Sequence, residues 1–185
     1  MIMKHLKIKM MSIAFMAVTT SSMAQSLNKM NWLNEPQQWE IKDGKTLVMD
    51  VPAKTDFWRI SHYGFTVDDG PFYYATYGGE FEAKVKITGN YVTTFDQMGL
   101  MLRIDHENWI KAVRRLDAVE IFFSRDDKEY IMMRTCWLQD NCPVMVGLMG
   151  ACPDGKGFTA TFEEFKVTPL ADQRRLEWAK RQMNK

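Results

Sequence analysis

Seven residues of this chain carry the chemistry of a recognition site: Trp58 and Tyr63, then Asp96, Gln97, Arg103, Trp109 and Lys111. The aromatic rings offer flat apolar faces, and the carboxylate, amide, guanidinium and ammonium groups offer hydrogen bonds. That combination suits a ligand with both apolar faces and hydroxyls, as a pyranose sugar has. Five of the seven fall within 96–111, DQMGLMLRIDHENWIK. On a strand over 99–105, Met101, Arg103 and Asp105 share one face, and Leu100, Leu102 and Ile104 the other. In a second strand over 108–113, Trp109 and Lys111 share a parity, so in-register pairing lets Arg103 and Lys111 reach one patch. Taken singly, Trp32, Trp39, Trp58 and Trp109 also read as core, and Arg103 with Asp105 as an ion pair. A purely structural segment has less reason to set Arg and Lys beside a Trp, which favours a ligand site for the cluster as a whole.

Hydrolytic chemistry finds less support. Cleaving a glycosidic bond takes two carboxyl groups flanking it, one of them held protonated. Glu82 shares its strand face with Lys84 and Lys86, which reads as solvent, and Asp117 and Glu120 have opposite parity. No catalytic residue is therefore assigned. His62 has no Ser or Cys partner in a recognisable motif, and His106 sits in a polar turn. Asp68-Asp69-Gly70 and the Asp105, Glu107, Asn108 group hold oxygen ligands, but neither has the full spacing of a calcium loop, and turn chemistry accounts for both. There is no CxxC for zinc, and DGKG at 154–157 is not a P-loop. The expectation is no metal and no cofactor.

The address is legible at the N-terminus. Lys4, His5, Lys7 and Lys9 precede a short apolar run over 10–18, and Ser22-Met23-Ala24 gives small residues at a cleavage site before Gln25. This reads as a signal peptide over 1–24, too short for a membrane span, and predicts a secreted or periplasmic protein with no membrane attachment after cleavage. Removing it takes three lysines and no acid, leaving 21 basic against 23 acidic residues, a net charge of −2. That balance excludes a basic field for nucleic acid. Cys136, Cys142 and Cys152 cannot all pair internally. Cys136 and Cys142 flank a turn-like stretch and are the candidate disulfide, with three buried thiols as the alternative.

The elements that must position the cluster are strands. Residues 39–41 and 46–51 flank Asp43-Gly44, a hairpin signal. Residues 81–87 alternate apolar and charged without a fault, as a half-buried strand does. Segments 99–105, 108–113, 118–123, 130–138, 144–149 and 158–167 complete an antiparallel sandwich over 25–168. Over 169–185 the pattern turns helical, with Asp172 as cap and Leu176, Ala179 and Met183 on one face.

The motifs WLNEP (32–36), TDFWR (55–59), HYGF (62–65), DQMGLMLRID (96–105), NWIK (108–111) and PDGKGF (153–158) together resemble the domain-of-unknown-function 1349 family, within the concanavalin A-like lectin/glucanase superfamily. The resemblance runs from Trp32 to about Val167. It implies an all-β, concanavalin A-like jelly-roll sandwich of two antiparallel sheets, here with a short C-terminal α-helix. Modules of this shape serve beside glycosidases as carbohydrate-binding domains. The superfamily's glucanases carry a Glu-x-Asp-x-x-Glu strand, which is absent here. One departure stands out: the family continues for about two strands after the Trp-Ile-Lys motif, whereas 111–113 here runs directly into 114–116. Losing paired strands leaves a sheet edge or an apolar face uncovered; either the neighbouring strands close it, or the fold is marginal, oligomeric or degenerate. The expected function is an exported, non-catalytic domain that binds carbohydrate in a jelly-roll groove. The alternatives are a glycoside hydrolase or lyase of the same fold, and a structural or protein-interaction module.

Overall fold

A computed structural model describes residues 27–59, 64–106, 109–110, 113–115, 118–139, 142–171 and 180–183. The signal segment, Tyr63 and Lys111 lie outside the described residues, as does most of the expected C-terminal helix, which is helical at 180–183. The remaining chain is built almost wholly of strands: β1 (Asn31–Leu33), β2 (Trp39–Lys42), β3 (Thr46–Val51), β4 (Phe57–Arg59), β5 (Thr66–Asp68), β6 (Phe72–Tyr77), β7 (Phe81–Gly89), β8 (Gln97–Arg103), β9 (Trp109–Ile110), β10 (Val113–Arg115), β11 (Ala118–Phe123), β12 (Ile131–Trp137), β13 (Val144–Ala151) and β14 (Phe158–Pro169).

Local chemistry fixes several of these. Asp43 and Gly44 both take positive φ (52° and 65°), and Lys45 N–H donates to Lys42 O at 3.0 Å. This is the turn whose twist matches paired strands, and it sets the β2–β3 register Lys42 to Thr46. In β7 the alternation buries Phe81 and Ala83 and exposes Glu82 and Lys86. The expected strand over 108–113 is instead two: β9 pairs with β8, and β10 pairs with β11 and β7. The chain changes sheet between them, which an unbroken strand pattern does not reveal.

All pairings are antiparallel, and the strands form two main sheets in the orders β1-β6-β13-β8-β9 and β12-β11-β10-β7-β14-β3-β2, with β4-β5 as a separate ribbon. Consecutive strands β6, β7 and β8 cross from one main sheet to the other and back. The result is a jelly-roll sandwich. Leu47, Met49, Val51, Phe81, Ala160, Phe162 and Val167 of the larger sheet meet Tyr73, Met98, Leu102, Val144, Val146 and Leu148 of the smaller one. Each fully buried Phe or Leu contributes about 1.5–3 kcal/mol relative to exposure.

The five-stranded sheet is buried on its second face as well. There Phe72, Met101, Met149 and Ala151 pack with Phe57 from β4. Strand β13, VMVGLMGA, is accordingly apolar along its whole length, which is the pattern of a strand covered on both sides. Gly147 is the point of closest approach: a Cβ there would collide with the carbonyl oxygen of Tyr73 and lie 2.7 Å from Tyr74 Cα. Gly99, on the neighbouring strand, is buried yet has open space where a Cβ would sit. Gly147→Ala is therefore expected to lose at least ~2 kcal/mol of stability by chemical denaturation, and Gly99→Ala to stay within about 0.5 kcal/mol. Equal effects would contradict this packing.

Candidate functional site

The second face of the five-stranded sheet gathers most of the chemistry. Alternation along β8 places Gln97, Gly99, Met101 and Arg103 on it, and the register sets these beside Ala151, Met149, Gly147 and Met145 of β13. Strand β6 adds Phe72, Tyr74 and Thr76 on the far side of β13. Over this floor lies the ribbon β4–β5, in which Trp58 pairs with Val67 and Phe57 with Asp68. Phe57 is sunk into the apolar cluster, and Trp58 is half-buried with its ring centroid 6.0 Å from that of Phe65. Phe65 itself is exposed, so the ribbon presents aromatic surface to solvent.

One ion pair holds ribbon to sheet. Arg103 Nη1 and Nη2 donate to Asp68 Oδ1 and Oδ2 at 2.5 and 2.6 Å, a two-pronged contact across 35 residues of sequence. Arg103 is only 4% exposed, whereas the Asp68 side chain is 28% exposed. A planar guanidinium matched to a carboxylate is among the strongest polar contacts, and removing one member of such a buried pair is far costlier than the pair's net worth. The partner is thus Asp68 of β5, and not Asp105. Arg103 also stands opposite Trp109 in the β8–β9 register.

Further bonds tie the ends of the segment. Asn34, itself at positive φ, donates from Nδ2 to Asp68 O and Gly70 O at 3.0 Å each. The Asp56 carbonyl accepts from Asp69 N–H and Gly70 N–H, and Asp56 N–H donates to Asp69 Oδ1 at 2.8 Å. The Asp56 carboxylate accepts from Phe57 N–H at 2.8 Å and from Gln97 Nε2 at 3.5 Å. Asp68 and Asp69 are therefore internal fasteners. Among the described residues no group of three or more His, Cys, Asp and Glu is placed to hold a metal ion.

Asp96 serves the loop that leads into β8. Its Oδ2 accepts from Val92 N–H and Thr93 N–H at 2.8 and 2.7 Å, with Phe95 held at φ 70° just before it. Cys152 lies on the other side of the carboxyl, with its thiol sulfur accepting from Gly157 N–H at 3.3 Å. Burial pushes the Asp96 carboxyl up, but the Cys152 thiol and the Thr93 and Val92 amides outweigh it, so it sits below the usual carboxylate range. Burial and the adjoining Asp96 carboxylate both push the Cys152 thiol up, away from reactivity. No disulfide joins Cys136, Cys142 or Cys152, so the candidate bridge between Cys136 and Cys142 is not formed. Cys136 instead points toward Val119 O and packs on the core, while Cys142 lies against Gln139 O.

Of the residues singled out in sequence, Gln97 and Arg103 lie on one face of the sheet at the two ends of β8, Trp58 lies on the ribbon above it, and Trp109 stands opposite Arg103 by register. Asp96 belongs to the loop at the start of β8, and Tyr63 and Lys111 fall outside the described residues. Trp32 and Trp39 are aromatic packing, with ring centroids 5.3 Å apart and both near Tyr73. Sequence reading missed Asp68 as the Arg103 partner, Asn34 as a fastener, and the whole of β6. The signal for β6 was present: FYYATY following Gly70-Pro71 is rich in aromatic residues and ends a turn.

Two crossed antiparallel sheets, one of them carrying an aromatic ribbon clamped by a buried ion pair, define this chain as a jelly-roll β-sandwich domain. It belongs to the family described as "Protein of unknown function (DUF1349)", whose profile matches residues 32–114 and 111–170. It is similar to the Saccharomyces cerevisiae protein "Regulation of enolase protein 1", with 28% identity over 180 residues, taking in 77% of this chain and 90% of that one. It is also similar to the crystal structure of a functionally unknown protein from Saccharomyces cerevisiae, at 26% identity and a TM-score of 0.73, covering 80% of this chain and all of the other. The two family matches share 111–114, so the match breaks where the chain passes from β9 to β10. Because 77% of 185 residues falls well short of 180, the yeast relative has residues opposite gaps in this chain.

The lowered Asp96 carboxyl has a consequence for acid stability. A group with a depressed folded value stabilises the fold above its unfolded value and loses that contribution as pH falls through the folded one. Wild type is expected to exceed Asp96→Asn in stability at pH 7, with the gap closing below about pH 4. Unfolding curves of both proteins from pH 7 to pH 3 test it; a gap that stays constant would contradict the assignment.

Proposed function

We propose that this chain is an exported, non-catalytic binding domain, and that its ligand is a carbohydrate or glycan fragment held at the β4–β5 ribbon and the adjoining face of the five-stranded sheet. The observation that carries the reading is the Arg103–Asp68 pair, buried at the guanidinium and open to solvent at the carboxylate, on a ribbon that also carries the Trp58 and Phe65 rings. A fixed carboxylate edge accepts hydrogen bonds from sugar hydroxyls, and a tilted aromatic pair covers the apolar face of a pyranose. Both groups are set in place before a ligand arrives, which lowers the ordering cost of binding. Open space lies over Gly99, on the same sheet face as Arg103.

The carboxylates near this face favour binding over hydrolysis. Asp56, Asp68, Asp69 and Asp96 each accept hydrogen bonds from groups of the chain itself. A glycosidase acid must be held protonated, and Asp96 is shifted the opposite way. The export reading rests on the basic and apolar pattern over 1–24. The name of the yeast relative points to regulation of an enzyme, which a binding domain without its own chemistry can also serve.

Glycan-array binding with tryptophan fluorescence titration on the purified chain tests the proposal. At least one sugar class should bind and quench or shift the emission, and Trp58→Ala should weaken that binding at least ~tenfold while unfolding remains cooperative. A cooperatively folded protein with no response to any sugar class would sink it.

A further inference from the structure

Strand β12 is the odd element of the sandwich. It closes one end of the seven-stranded sheet, and along one side of its backbone no strand pairs with it among the described residues. Its sequence, IMMRTCW, is nonetheless apolar at Ile131, Met132, Met133 and Trp137, which are 68, 51, 67 and 66% exposed. Phe122 and Phe123 of β11, and Tyr130 just before β12, add further exposed apolar side chains. Edge strands are ordinarily kept from pairing by shortness, charge or proline. The opposite edge of this very sheet obeys that rule: β2 is four residues long and carries Glu40 and Lys42, 2.9 Å apart. Strand β12 is seven residues long, has no proline and carries Arg134 as its sole charge.

The hairpin is also thinly attached. Strand β10 meets β7 at one register position, Arg114 opposite Phe81; β11 and β12 otherwise meet the core through Val119, Leu138, Ile121 and Cys136, and their connecting turn meets β7 through Lys84, which pairs with Asp127 and lies 5.8 Å from the Tyr130 ring centroid. This is the end of the molecule next to the break in the family match. As the outermost hairpin of its sheet, joined inward through the short β10, the β11–β12 pair gains from a further cover.

We propose that the cover is a second copy of this chain, with β12 pairing antiparallel to the partner's β12 about a twofold axis and joining the two seven-stranded sheets. An edge that runs antiparallel to its own copy is self-complementary, as a twofold interface requires. At about 200 Å² per side chain of this size, the exposed parts of the seven apolar residues come to roughly 750 Å². The total, shared between the two faces of the hairpin because successive side chains of a strand alternate, is close to the ~800 Å² per partner of a stable interface. Charge sets the register. An axis through Arg134 would oppose two guanidiniums, whereas an axis at Thr135 pairs threonine with threonine and sets Met133 against Trp137.

Sedimentation velocity of the purified chain from about 1 to 100 μM should show the mass rising from one copy to two. Amide exchange at 131–137 should slow over the same range, because those N–H groups gain partners. Met133→Lys and, separately, Trp137→Lys should weaken the association at least ~tenfold with the circular dichroism spectrum unchanged. Two lysine positions guard against one variant that fails to fold. A single-copy mass throughout, a dimer whose 131–137 exchange does not change with concentration, or a monomer that instead binds phosphatidylglycerol vesicles through this strand would overturn the proposal.

Discussion

The candidate site depends on the contact between Arg103 and Asp68. Strand β8 supplies the cation and β5 the anion, and between them they pin a segment running from Asp56 to Gly70 across the second face of the five-stranded sheet. A buried guanidinium without its carboxylate would be strongly unfavourable, so the pair acts as a latch whose two halves need each other. Once the latch is set, Phe57 fills the space above Phe72, Met101 and Met149, and Trp58 is held at the surface. Asn34, Asp56, Asp69 and Gln97 then fasten the ends of the same segment. The candidate binding surface is a product of this latch, because neither Trp58 nor Asp68 belongs to the five-stranded sheet itself.

Burying one sheet on both faces concentrates the structure's constraints in β13. Every side chain of that strand lies under something, and Gly147 must remain small where β6 approaches. The larger sheet is treated differently. Its centre, β7, β14 and β3, packs on the core, while β11 and β12 project past it with apolar residues exposed. The chain is therefore rigidly specified at the ribbon and loosely supported at the β12 edge. The ribbon and the β12 edge carry different kinds of surface: a fixed polar and aromatic one, and an extended apolar one.

Much of the fold was readable because local chemistry and burial agreed. Asp43-Gly44 demanded a hairpin, and alternation in β7 gave that strand and its buried face. Strand β6 was harder, because a strand covered on both faces loses the alternation that marks a half-exposed one. Arg103 was recognised as unusual, but its partner lay 35 residues away in a segment that reads as turn. No spacing rule links such positions; only the crossing of the ribbon over the sheet does. The loop-capping bonds of Asp96 were hidden for a related reason, since an aspartate that caps its own loop and one that meets a ligand look the same in sequence. The division of 108–113 between two sheets was likewise invisible, being set by where the chain must change layers.

The central claim is that Arg103 and Asp68 act as one latch, and a double-mutant cycle on stability tests it most directly. Asp68→Asn, Arg103→Gln and the double variant would be unfolded in denaturant beside wild type. The account predicts a coupling of about 1.5–3 kcal/mol, with the double variant far less damaged than the sum of the singles. Additivity within ~0.5 kcal/mol would show that the two residues do not depend on each other and would contradict the account.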